Sequence, residues 1–266
     1  MSIQLPNDFP EQHIASYEKH LDVGKADAFF AKAVLLVEGP TELGLFPALG
    51  LAYTFLSDVY DFDRVGVSVI NAGGKNNIKA LIQLLGNFNI PSVAVIDYDS
   101  KDKKHEKELE QIKAVTDNLY ELPRHVDMGD IEGFVCLNAP IGELASFLEE
   151  ILPAERVDDL ISEMQGIART IDGDRADQIK FIREAEAGLA ACILLVESLP
   201  DAEFRVRKAL AGGFRKVKGR TTGRLIGERF WMHFPSEFIE KTLDHVIKLA
   251  GYEIIFADEG TEDEMS

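Results

Sequence analysis

Two short apolar runs constrain this chain more than any other feature. Ala33-Val34-Leu35-Leu36-Val37 stops at Glu38-Gly39-Pro40-Thr41-Glu42, and Pro91-Ser92-Val93-Ala94-Val95-Ile96 stops at Asp97-Tyr98-Asp99-Ser100. Each run is short, β-branched and bounded by breakers, which is the pattern of a buried strand. In an open parallel sheet the carboxyl ends of the strands share one rim, and ligands bind there. Glu38, Glu42, Asp97 and Asp99 therefore converge from distant parts of the sequence. Clustered carboxylates repel one another unless cations sit among them, and oxygen donors select hard cations, here Mg²⁺ or Mn²⁺.

The intervening segment supports a parallel arrangement. Thr41 reads as the N-cap of a helix to about Leu56, and Val65 to Ile70 as a second strand. Asn71-Ala72-Gly73-Gly74-Lys75-Asn76-Asn77 is a Gly-rich turn opening a helix whose Ile78, Leu81, Ile82 and Leu85 fall on one stripe. The order β-α-β-α-β with short connections implies an α/β fold, a parallel sheet flanked by helices. A charged helix ending near Asp117 and a fourth strand at Leu119–Leu122 follow. From Pro140 to Leu199 the period is helical, with stripes at Leu144, Phe147, Leu148, Ile151 and at Val157, Leu160, Ile161, Met164, so an additional helical subdomain is expected. Asp174 to Leu199 reads as one helix or as two parted at Gly188. A short helix is expected around Glu11 to His20, a last helix from Ser236 to about Ala250, and an edge strand at Tyr252 to Phe256. The expected divisions are a lead-in at 1–30, the sheet core at 31–138, the helical subdomain at 139–210, a C-terminal completion at 211–256 and an acidic tail at 257–266.

Composition narrows the partners. Asp and Glu number 46 against 28 Lys and Arg, a formal charge of −18. That argues against a diffuse electrostatic grip on nucleic acid. It leaves room for local phosphate binding through metals and a few basic residues, with a second protein supplying part of the grip. Ala211 to Arg224 is basic and Gly-rich. No apolar run approaches the roughly 20 residues of a membrane helix, and the N-terminus lacks a signal-peptide plan. Cys136 and Cys192 lie far apart in apolar contexts and read as buried free thiols of a reducing cytosol. The six histidines show no zinc spacing.

Four further groups admit two readings each. Asp130-x-Glu132 is either an acidic turn or a second metal position. Gly73, Gly74 and Lys75 form either a phosphate cradle or a turn that needs positive φ. Tyr98 reads as packing beside the metal site rather than as a nucleophile, and Trp231 as core rather than a base-stacking platform.

Taken together, Leu36-Val37-Glu38-Gly39-Pro40-Thr41-Glu42, Asn71-Ala72-Gly73-Gly74-Lys75 and Ile96-Asp97-Tyr98-Asp99 resemble the TOPRIM domain. With the lead-in Leu21-Asp22-Val23 and Ala28-Phe29-Phe30-Ala31-Lys32, the resemblance narrows to the TOPRIM nuclease half of the OLD (overcoming lysogenisation defect) family. It implies a Rossmann-like TOPRIM sheet and a nuclease that hydrolyses phosphodiesters in DNA, with an RNA or tRNA target left open because TOPRIM proteins also include RNA-processing nucleases. It implies Glu38 and Asp97 as catalytic residues and two ions held among Glu38, Glu42, Asp97, Asp99, Asp130 and Glu132. A late lysine would act at the scissile phosphate, Lys218 or, failing that, Lys216. OLD proteins usually carry an ABC-type ATPase on the same chain, yet no G-x-x-x-x-G-K-[ST] occurs here. The expectation is a cytoplasmic nuclease half, with homo-oligomers open, acting with a separately encoded ATPase in a two-component phage-defence system. The alternative is a regulatory or effector subunit with a latent TOPRIM site, docking an ATPase through Pro140 to Leu199. A DxD sugar transferase leaves Glu38 and Glu42 without a role.

Overall fold

The computed structural model describes residues 23–98, 103–125, 127–184 and 188–254. Strands β1 (Ala33–Val37), β2 (Val67–Asn71), β3 (Ser92–Ile96) and β4 (Leu119–Glu121) form a parallel sheet in the order β2-β1-β3-β4. Val37 stands opposite Asn71 on one side and Val95 on the other, so the strand ends are level.

Both central strands are buried throughout, and their period-two alternation feeds two layers. Ala33, Leu35, Val37, Val93 and Val95 pack with Leu45 and Leu49 of the Pro40–Tyr53 helix. Val34, Leu36, Ala94 and Ile96 face the other way, onto Ile78, Leu81, Leu85, Leu109 and Ile112 of the Lys75–Asn87 and Lys103–Lys113 helices. Each fully buried aliphatic side chain contributes about 1.5–3 kcal/mol.

The helical region expected after Pro140 is present, beginning with Ile141–Ile151 and Ala154–Ile171. Its last part is two helices, Gly173–Glu184 and Gly188–Glu197, with Gly188 at φ 83°. Leu144, Leu148, Met164, Leu210 and Phe214 share one apolar cluster with Leu45 and Val93, so packing runs unbroken from the sheet into the helices.

Several boundaries differ from the sequence reading. Val65 belongs to a helical turn, Phe62–Val65, because the Asp61 carboxylate accepts the N–H groups of Asp63 and Arg64 and caps it. Gly66, at φ 76°, ends that turn, and β2 starts only at Val67. The first long helix starts at Pro40 with Gly39 as its N-cap, so Thr41 lies inside it. Residues 252–254 form no strand. Residues 255–256 lie outside the described part, as does the helix expected at Glu11 to His20.

One helix pair positions the site. Pro40–Tyr53 and Arg220–Phe230 meet backbone to backbone. A Cβ at Gly44 would lie 1.9 Å from Arg220 O, one at Gly223 1.8 Å from Thr41 O, and one at Gly227 2.7 Å from Ala48 Cβ. Only glycine permits that approach, and it carries the segment before Arg220 to the start of the Pro40 helix.

Candidate metal centre

With strands ordered β2-β1-β3-β4, the chain turns from β1 to opposite sides, and the switch lies between β1 and β3. Open α/β sheets form their ligand crevice at such a point. Glu38 leaves β1 there and Asp97 leaves β3. The two meet: the Asp97 N–H donates to Glu38 Oε2 at 2.9 Å. The Gly-rich turn is laced to the same place, with Ala72 N–H bonded to Val37 O at 2.8 Å and Gly74 N–H to Glu38 O at 2.9 Å.

Glu42 lies in the first turn of the Pro40 helix and is buried. Burial, with the charges of Glu132 and Glu38, pushes its carboxyl up to about 7. Asp97 is pushed well above the ordinary carboxylate range, first by burial, then by Glu42, Glu38, Asp130 and Glu132. Its Oδ1 is buried without a hydrogen-bond partner. Glu38, Glu42, Asp97, Asp130 and Glu132 thus lie within electrostatic reach of Asp97 or of one another.

The Asp130–Glu132 segment is clasped to the end of β3. Tyr98 N–H donates to Gly129 O at 2.8 Å, and a Cβ at Gly129 would stand 2.1 Å from Tyr98 O. Asp130 caps the Ile131–Asn138 helix through Gly133 N–H. Arg215, the last residue of the Ala202–Arg215 helix, grips Asp130 with both arms, Nε to Oδ2 at 2.6 Å and Nη2 to Oδ1 at 2.7 Å. Burial opposes ionisation of Asp130, but Arg215 outweighs it and holds the carboxyl below its usual range. Glu132 is fully buried; Thr41 Oγ1 donates to its Oε1 at 3.0 Å, and Lys218 Nζ sits 2.9 Å from its Oε2. Lys218, the late lysine of the sequence reading, thus stands at the carboxylates. Lys216 is exposed.

Lys75 is placed otherwise than a phosphate cradle requires. Gly73 and Gly74 do take positive φ, 73° and 115°, as a tight turn needs. The Lys75 side chain, however, runs inward and is buried. Its Nζ donates to Asp97 O at 2.9 Å, lies 2.9 Å from His105 Nδ1 and 3.9 Å from Glu38 Oε1. His105 Nε2 continues to Glu121 Oε1 at 2.7 Å. An ammonium only donates, so Nδ1 accepts and Nε2 carries the proton toward Glu121. Lys75 is an internal cation braced from β4, and Tyr98 packs edge-on to its His105 neighbour. Trp231 is half-buried against Tyr53 and Phe55.

Sequence reasoning missed Arg215, Thr41 as a partner of Glu132, and His105. Only His105 left a signal: it stands four residues before Leu109 and seven before Ile112, on the inward stripe of a charged helix. Asp99 lies outside the described residues. Among the described residues no three His, Cys, Asp or Glu side chains are already gathered at metal-holding spacing. The donor set nevertheless suits a hard divalent cation: all ligand atoms are carboxylate oxygens, one of them orphaned and buried, with two carboxyls held against ionisation by burial first and by neighbouring charges second.

Residues 29–99 match a family model described as the overcoming lysogenization defect protein-like TOPRIM domain. No curated protein matches the chain. Among solved structures, it is similar to the C-terminal region of the Burkholderia pseudomallei OLD protein, at 18% identity over 83% of this chain and 99% of that one, with a TM-score of 0.42. It is similar also to the C-terminal region of the Xanthomonas campestris pv. campestris OLD protein, at 15% identity over 85% and 97%, with a TM-score of 0.39. Residues 29–99, which span β1, β2, β3 and the helices and turns joining them, are an OLD-like TOPRIM domain.

Proposed function

We propose that this chain is a divalent-metal-dependent TOPRIM endonuclease that hydrolyses phosphodiester bonds in DNA. One observation carries the reading: Glu38 and Asp97 meet at the sheet's switch point beside Glu42, where burial and the neighbouring charges push the Glu42 and Asp97 carboxyls up and a divalent cation would favour their ionised forms. Mg²⁺ or Mn²⁺, two ions on this reading, would supply Lewis acidity toward a phosphate and lower the pKa of a water when bound. Glu38, Glu42 and Asp97 hold the ions together with Asp99. Glu132 completes the set from the opposite side, fixed by Thr41. Asp130, committed to Arg215 and to its helix cap, orients that side. Lys218 is positioned to neutralise charge developing on the phosphate.

The test is cleavage of supercoiled plasmid with Mg²⁺, Mn²⁺ or EDTA. Glu38→Ala and Asp97→Ala abolish metal-dependent cutting while circular dichroism stays native, and Lys218→Ala slows it by about 10²–10³-fold. Full activity in either carboxylate variant overturns the assignment. A separately encoded ATPase and a role in phage defence belong to the same proposal. They are supported by the sequence resemblance alone, and co-purification with the neighbouring gene product tests them.

A further inference from the structure

We propose that Ala211–Arg224 is the DNA-docking edge of this chain, with Lys216, Arg220 and Arg224 as its contacts to the phosphate backbone; the proposal rests on the nuclease reading above. In a chain where acids outnumber bases 46 to 28, this stretch holds Arg215, Lys216, Lys218, Arg220 and Arg224 and no acid. Two of these cations are spent on the centre itself, Arg215 on Asp130 and Lys218 on Glu132, which fixes the stretch at the carboxylates. The other three are exposed. Among the described residues Lys216 and Arg220 make no ion pair. Arg224 pairs with Glu228 at 3.1 Å on the open surface, a contact of little net worth that a phosphate can replace. Arg220 and Arg224, four apart, share one helix face.

That face borders a cleft of about 200 Å³ whose opposite wall starts at Leu43 and Gly44, directly after Glu42. Asp61, Asp63 and Glu228 also line the cleft, so it is no anion pocket; the exposed run beside it is the docking edge. The glycine contacts that seat Arg220–Phe230 on the Pro40 helix hold this edge rigidly against the centre. A phosphate backbone lying on the three exposed cations therefore passes the carboxylates beside Lys218. The edge supplies locally the positive charge that the whole chain lacks.

The test is binding of a short labelled DNA duplex, with Ca²⁺ in place of Mg²⁺, read by fluorescence anisotropy across a salt series. Each phosphate contact contributes about 0.9 to the slope of log affinity against log salt. The variant Lys216→Ala/Arg220→Ala/Arg224→Ala should lose up to about 2.7 of that slope and weaken on all sequences alike. A control variant, Lys113→Ala/Lys248→Ala, removes exposed cations elsewhere and should keep the wild-type slope. An unchanged slope in the triple variant, an equal loss in the control, or a wild-type protein that binds no duplex overturns the docking edge. Plasmid cutting by the wild type with an unchanged triple-variant slope sinks the edge alone. Salt-dependent binding through the edge, without metal-dependent cutting by the wild type, sinks the nuclease reading instead.

Discussion

Glu42 shows what a single side chain can report about this centre. Its folded-state carboxyl titrates near 7 against an ordinary value of 4.5. A raised carboxyl favours the protonated fold, so its contribution to stability is full below about pH 4.5 and is lost as pH rises through about 7. Without metal, the melting temperature should therefore fall across that interval, by the equivalent of roughly 3 kcal/mol at most. Asp97, shifted the same way, adds to the fall. Divalent cations favour the ionised form, so Mn²⁺ should restore the loss at pH 7.5 and do little at pH 4.5. Calorimetric scans in EDTA and in Mn²⁺ across pH check this, and Glu42→Gln should flatten the EDTA profile. Thr41 and Lys75 show where a sequence stops speaking at this scale. Thr41 has the side chain of an N-cap, and Lys75 follows two glycines like a phosphate binder. Their partners, Glu132 and the Asp97–His105 pair, are 91, 22 and 30 residues away. Nothing local encodes those contacts.

At the scale of elements, β1 and β3 were legible because burial on both faces leaves an uninterrupted apolar run, and their ends were legible because the breakers are carboxylates and glycines. The Lys75–Asn87 helix was legible from its stripe, and the split at Gly188 from the glycine. The start of β2 was not, since Val65 suits a strand as well as a capped turn, and the Asp61 cap decided it. The packing of Pro40–Tyr53 on Arg220–Phe230 was hidden too, because Gly44, Gly223 and Gly227 look like loose helix glycines until the partner helix is in place. That packing carries Lys218 to Glu132, so it belongs to the chemistry as much as to the fold. Gly223→Ala should force the helices apart. Overpacking of this kind costs about 1–3 kcal/mol or more. Urea unfolding should show that loss, and plasmid cutting should fall further than stability alone explains. Gly212→Ala, in open space on the neighbouring helix, is the control and should retain both.

For the whole molecule, the acidic charge and the carboxylate centre are separate facts. The −18 balance sets what the surface repels, whereas the centre depends on Glu38 and Asp97, which the sheet topology gathers at one rim, and on Glu42 and Glu132 beside them. A parallel sheet that crosses sides between β1 and β3 gathers Glu38 and Asp97 whatever the surface carries. The helices after Pro140 extend the same apolar core and deliver Arg215 to Asp130, so they brace the site from behind. The central claim is that these acids hold divalent ions in the protein alone, before any nucleic acid arrives. Titration calorimetry with Mn²⁺ on the full chain at pH 7.5, without DNA, tests it most directly. Saturable binding in the wild type, lost in Glu38→Gln and Asp97→Asn and kept in Lys113→Ala, is the expected result. No binding in the wild type, or equal binding in all four proteins, would contradict the account.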